Sequence, residues 1–251
     1  MIIGPESCLR RIPVALNRKQ AFFIEGIRVS IEIIDLAHAR LQGALLQITN
    51  SFALDGGTPR ELLAAAVLDA WSIVDSFHRL ADLAEHLPNV VKKQRIPAFR
   101  DLLAANKTVN SLRNTVQHLP AQIREMTAGP NWSVWGALSW CVPHGGDKTL
   151  LDCCTYVCGK LEHDARRPLV NPAGQKIRLP VGLITLSQDP YSVCISEIFG
   201  LVEKFAAECE KMTAAAFSAN PLLAETHASD VLIMVTVAPA KEPEAQANPS
   251  F

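Results

Sequence analysis

Three amphipathic stretches in the first half of the chain constrain its fold more than any other feature. Ile27, Ile31, Ile34, Leu41, Leu45 and Ile48 recur at spacings of three, four and seven, with His38 standing at the missing step. That rhythm lines one face of a helix at 3.6 residues per turn and predicts a helix from about Asn17 to Thr49. Asp55-Gly56-Gly57 breaks it. Thr58-Pro59-Arg60-Glu61 then reads as a helix start, with Thr58 as N-cap, Pro59 at the first helical position and Glu61 closing a capping box. Leu63, Val67, Ala70, Val74, Phe77, Ala81 and Ala84 carry the next apolar stripe until Leu87-Pro88-Asn89 stops it. A basic approach, Lys92-Lys93-Gln94-Arg95, leads into a third helix from Pro97 to His118, striped by Phe99, Leu102, Val109, Leu112, Val116 and Leu119. Pro120 ends or kinks that helix, because proline removes a ladder donor and its ring crowds the preceding turn; Ile123 would continue the stripe past it. Long helices joined by short loops fold back on one another as an antiparallel bundle.

After Gly129-Pro130 the texture changes to β-branched and aromatic residues. Trp132 to Val142 and Thr149 to Gly159 read as two strands around Pro143-His144-Gly145-Gly146-Asp147. Pro168 to Val170 and Lys176 to Leu186 read as a second pair around the turn Asn171-Pro172-Ala173-Gly174. Asp189-Pro190 is expected to open a helix to about Ser218, with Cys194, Ile198, Leu201, Phe205 and Met212 on one face, and Val231 to Val237 a last strand. The fold class is therefore α+β: an antiparallel helical bundle, then an antiparallel sheet with one long packed helix. The expected division is a bundle over 1–128, an α+β region over 129–238, and a Pro-, Ala- and Glu-rich disordered tail over 239–251.

A hydrophobic fraction of 49% and a net charge of −1 fit a globular protein and argue against a nucleic-acid coat, which needs an excess of cations to neutralise phosphates. Met1 to Phe23 is interrupted by Glu6, Arg10, Arg11, Arg18 and Lys19, and no stretch has the roughly 18 apolar residues of a membrane span. A cytoplasmic protein without membrane contact is expected. Its seven cysteines, odd in number and irregularly spaced, are then reduced thiols. Cys141-x-x-His144 with Cys153, Cys154 and Cys158 does not complete a tetrahedral set, so these cysteines read as small core fillers and no metal or other cofactor is implied. His38, on an apolar face, reads as a hydrogen-bonded core histidine. Ser139 and Ser196 lack a nucleophile elbow, and Gly145-Gly146 lacks the Lys-Ser/Thr of a phosphate loop.

The chemistry-bearing segment is Arg113-Asn114-Thr115-Val116-Gln117-His118, late in the third helix. It joins a permanent cation to the side chain that titrates near neutral pH. The looser spacing Arg-x4-6-His is also met by Arg79 and His86, so the Asn directly after Arg113 is what distinguishes this segment. On an ideal helix Asn106, Asn110, Arg113, Asn114, Gln117 and His118 fall opposite the apolar stripe. Amides stand there where surface helices usually carry Glu and Lys, which suits a face that meets something specific.

Arg113-Asn114-x-x-x-His118 in a helical setting resembles the signature of the HEPN superfamily, helical bundles of which many are metal-independent endoribonucleases. The resemblance rests on six residues within the helical half, and the C-terminal half resembles no family. It implies a homodimer in which two copies of the face line one cleft. His118 would act as general base or acid in attack of a ribose 2′-hydroxyl, Arg113 would hold the phosphate, and Asn114 would orient His118. RNA is then the substrate and DNA is not. Asn110 and Gln117, with Asp75 from the second helix, are the further candidates for binding. Asp69 and Asp75 could reach the motif or serve local pairs, Asp75 with Arg79 in particular. The setting implied is defence or toxin-antitoxin, with a possible inhibitory protein partner. Where many members have a Tyr soon after the His, this chain has Leu119-Pro120. The other reading of the same face is a non-catalytic interaction or nucleotide-binding module.

Overall fold

The computed structural model describes residues 1–55, 57, 59–88, 90, 92–118, 135–144, 147–157, 183–188, 190–220, 227–228 and 232–235. Four helices and six strands are described: β1 (Ile12–Pro13), α1 (Arg18–Asp55), α2 (Arg60–His86), α3 (Pro97–Gln117), β2 (Ala137–His144), β3 (Asp147–Val157), β4 (Ile184–Gln188), β5 (Tyr191–Cys194), α4 (Ile195–Ala219) and β6 (His227–Ala228). The mixed α+β class read from the sequence is the class found.

Asn17 caps α1, its Oδ1 accepting the Lys19 backbone N–H at 2.9 Å. The helix runs six residues past Thr49, because no breaker stands before Gly56. Ile27, Ile31, Ile34, Leu41, Leu45 and Ile48 are all buried, so the periodicity selected the core face. For α2 the expected start is corrected by one residue. Pro59 occupies the N-cap position and its carbonyl accepts the Leu63 N–H at 3.0 Å. Thr58, the expected cap, lies outside the described residues, while Glu61 sits in the first turn, where it meets the positive end of the helix.

Cross-helix contacts fix the bundle as antiparallel. A Cβ on Gly26 would press on Leu83, and Arg40 reaches Asp69 further along, so α1 and α2 run oppositely. Asp75 meets Arg113 and His78 meets Asn106, which does the same for α2 and α3. The helix α4 closes the bundle, with Phe205 edge-on to Phe99 at 4.8 Å and Phe199 stacked on His38 at 3.8 Å. An N-terminal strap packs along α1: Ile3 and Leu9 are buried, the Ile2 N–H donates to Asp35 at 2.9 Å, and Arg10 pairs with Glu32 at 2.8 Å.

The sheet has order β3-β2-β4-β5 and is antiparallel throughout. Leu138, Trp140, Ile184, Leu186 and Val193 turn to the helices and share one continuous core with them. The Trp140 indole N–H donates to Thr49 Oγ1 at 2.9 Å, and that hydroxyl donates to the Leu45 carbonyl at 2.9 Å. Gly136, at φ +80, enters β2 so close to Ser187 that a Cβ would lie 2.3 Å from its carbonyl oxygen.

Two expectations are corrected here. Residues 191–194 form a strand instead of the first turn of a helix, because Gln188 pairs with Tyr191 across a two-residue loop in which Pro190 suits a turn. The last described strand is His227–Ala228, pairing with Ile12–Pro13, and residues 232–235 are irregular and exposed. Their apolar, β-branched run meets no partner strand among the described residues, and strand propensity acts only where a neighbour accepts it. The expected strand from Lys176 to Leu186 is found only at its end, as β4 from Ile184 and on to Gln188. The expected kink at Pro120 with Ile123, the start of the first strand at Trp132, the Gly145-Gly146 loop, Cys158, the segment 168–182 with its turn at 171–174, and the tail over 239–251 lie outside the described residues.

A candidate active face at the end of the third helix

Phe99, Leu102, Val109, Leu112 and Thr115 bury one side of α3, leaving Arg113, Asn114, Gln117 and His118 on its outer side near its C-terminal end. Asn114, Gln117 and His118 are exposed, and Asn110 is half-buried. His118 is the residue that ends the helix, and its backbone N–H donates to the Asn114 carbonyl at 3.2 Å. The link between Asn114 and His118 thus runs through the backbone.

Arg113 is the best-anchored member. Its Nε donates to Asp75 Oδ1 at 2.6 Å and its Nη1 to Gln117 Oε1 at 3.1 Å. The guanidinium side chain is 21% exposed, against 45% for Asp75. A guanidinium has five N–H donors, so the Nη2 amino group remains outside these two bonds. Asp75 therefore joins Arg113 across the helix interface, where the sequence had also allowed a local pair with Arg79. Asp69 is occupied elsewhere, by Arg40 at 3.3 Å. Burial pushes the Asp69 carboxyl up, opposed by the Arg40 charge.

Sequence reasoning overlooked a second polar crossing. His78 Nδ1 lies 3.1 Å from Asn106 Oδ1, and its Nε2 lies 3.4 Å from Asp82. Asp75, His78 and Asp82 are spaced by three and four on α2, so they share one face, and that spacing was readable. Part of the amide row on α3 thus serves the α2–α3 contact. His38 is also corrected: it is buried and stacked on Phe199, but its Nε2 has no hydrogen-bond partner among the described residues. Desolvation lowers its pKa below the ordinary value, against a smaller opposing pull from Asp35.

An apolar cavity of about 220 Å³, bordered by Leu9, Ile24, Leu87, Phe99, Cys209 and Met212, opens at the other end of α3. At 1.5 Å per residue, Phe99 and His118 are separated by roughly 28 Å, so the cavity is no part of this face. Among the described residues no group of three or more His, Cys, Asp or Glu could hold a metal ion, and no helix is long and apolar enough to cross a membrane.

No family model, no curated protein and no solved structure matches this chain.

Proposed function

We propose that this chain is a homodimeric, metal-independent endoribonuclease of HEPN type. The observation that carries the reading is the outward, shared placement of Arg113, Asn114, Gln117 and His118 on the last turns of one anchored helix. In this reading His118 takes the proton of a ribose 2′-hydroxyl, the 2′ oxygen attacks its own phosphorus, and the P–O5′ bond breaks. A second histidine, from the other copy, protonates the leaving oxygen. The Nη2 group of Arg113 meets the phosphate oxygens as charge grows on them. Asp75 and Gln117 hold the guanidinium in place, and Asn110 would line the same cleft. RNA bearing 2′-hydroxyls is the substrate, DNA is inert, and a protein that covers the face would be an inhibitor, as in a toxin-antitoxin pair in the cytoplasm.

One observation favours a second reading. The Asp75 carboxylate already neutralises Arg113 at 2.6 Å, which suits a non-catalytic interaction or nucleotide-binding module whose arginine is structural. Incubating the purified chain with RNA and with its 2′-deoxy analogue separates the two. Cleavage products ending in a 2′,3′-cyclic phosphate, abolished by Arg113→Ala or His118→Ala and indifferent to EDTA, support the nuclease. No cleavage by the wild-type chain, with both variants folded, leaves the interaction module.

A further inference from the structure

On the sheet face opposite Trp140, β2 and β3 carry a ladder of small side chains. Ser139 Oγ stands 3.1 Å from Thr155 Oγ1, and the next pair on that face is Cys141 and Cys153. The Cys141 thiol donates to Cys153 Sγ across 3.2 Å. The two residues are directly opposite in the antiparallel register. Opposed residues in such a pair have Cα atoms about 4.5–5.5 Å apart, inside the window of roughly 4.4–6.8 Å that a disulfide spans. The geometry points to Cys141 and Cys153 as a dithiol site that a hydroperoxide converts to an intramolecular disulfide.

The two sulfurs divide the work by their surroundings. Cys141 is buried, and burial first, then its hydrogen bond to Cys153 and the charges of Cys153 and Cys154, push its pKa up to about 12. It stays a protonated thiol at neutral pH and is the resolving partner. Cys153 is the less buried of the two, on β3 at the edge of the described sheet, and in this proposal it is the sulfur that meets the oxidant. Its thiolate attacks the O–O bond of the hydroperoxide, giving a sulfenic acid and an alkoxide or hydroxide that takes up a proton. The Cys141 sulfur then attacks the sulfenic sulfur. The S–S bond forms as the S–O bond breaks, and the departing hydroxide leaves as water with the Cys141 proton. Two thiols and one hydroperoxide yield one disulfide, one alcohol (or water) and one water.

Cys154 is the competing partner by sequence, but it points to the other face. It stands opposite Trp140, with its Sγ 3.7 Å from Thr49 Oγ1, and burial raises its pKa. Adjacent strand residues face apart, so Cys153 meets Cys141 and not its own neighbour.

The test uses the full chain, reduced, desalted and treated with one equivalent of hydrogen peroxide. Free thiols are alkylated after denaturation and the peptides mapped by mass spectrometry. The expected result is a loss of about two mass units in the intact chain, with one disulfide joining the Cys141 and Cys153 peptides and reversed by dithiothreitol. Cys141→Ser should stop the reaction at a sulfenic acid on Cys153, trapped by dimedone. Cys153→Ser should leave Cys141 fully alkylated. If a variant does not fold, the wild-type map still decides. Full alkylation of both residues, or a disulfide from Cys153 to Cys154 or to a second copy, overturns the proposal.

Discussion

The ion pair between Arg113 and Asp75 lets structure and function be tested with one set of variants. Its Nε–Oδ1 distance of 2.6 Å is short, but the side chains are 21% and 45% exposed, so solvent screens much of the attraction. Exposed pairs contribute roughly 0–1 kcal/mol, and charge-assisted hydrogen bonds more when shielded. A half-shielded pair braced by Gln117 should therefore show a coupling of about 1 kcal/mol between the two sites. The measurement is a double-mutant cycle of wild type, Asp75→Asn, Arg113→Ala and the double variant, unfolded in urea and followed by far-UV circular dichroism. For a chain of this size each single change should lower Tm by about 2–4 °C per kcal/mol lost. The double variant should be little worse than the poorer single one. A coupling below about 0.3 kcal/mol would refute the claim that this pair joins α2 to α3. The same variants test the proposed chemistry. Asp75→Asn removes the carboxylate that competes with phosphate for the guanidinium, so RNA affinity should rise several-fold and fall with added salt. An affinity that is unchanged or lower would defeat the competition argument.

Thr49→Val leaves the buried Trp140 N–H without its acceptor and should cost about 1–3 kcal/mol in urea unfolding, whereas Thr49→Ser should restore most of it; equal stability of all three proteins would rule out that role for the hydrogen bond. Gly136→Ala places a Cβ 2.3 Å from Ser187 O at φ +80 and should cost more than about 1 kcal/mol, read as a lowered Tm. His38 has a folded-state pKa below its unfolded value, so the unfolded chain binds more protons; the stability it contributes is complete above about pH 6.5 and is lost as pH falls through the lowered folded value. His38→Phe should flatten that part of the pH–stability curve and leave stability at pH 8 equal or higher, since the ring stack is kept and an unpartnered nitrogen removed; an unchanged acid slope would count against it.

The sequence by itself determined the helices and their inner faces. Ile27 to Ile48, Leu63 to Ala84 and Phe99 to Leu112 are legible because a helix repeats every 3.6 residues, so burial is written into spacing. It also marked Arg113 to His118 as one polar patch, since the same period that gathers apolar residues expels polar ones to the far side. Strand boundaries were less legible. A two-residue turn at Pro190 changes a helix start into a hairpin, and residues 232–235 have strand propensity but no partner among the described residues. Hydrogen bonds between strands depend on which segments meet, and a local pattern does not specify that. Partnerships across elements were decided only by the tertiary structure. It chose Arg113 over Arg79 for Asp75, gave His38 Nε2 no hydrogen-bond partner among the described residues, and set Cys141 against Cys153 while turning Cys154 to Thr49. Periodicity says which side of an element faces inward. The register and crossing of packed elements decide which side chain stands opposite, and they are set by the whole core at once.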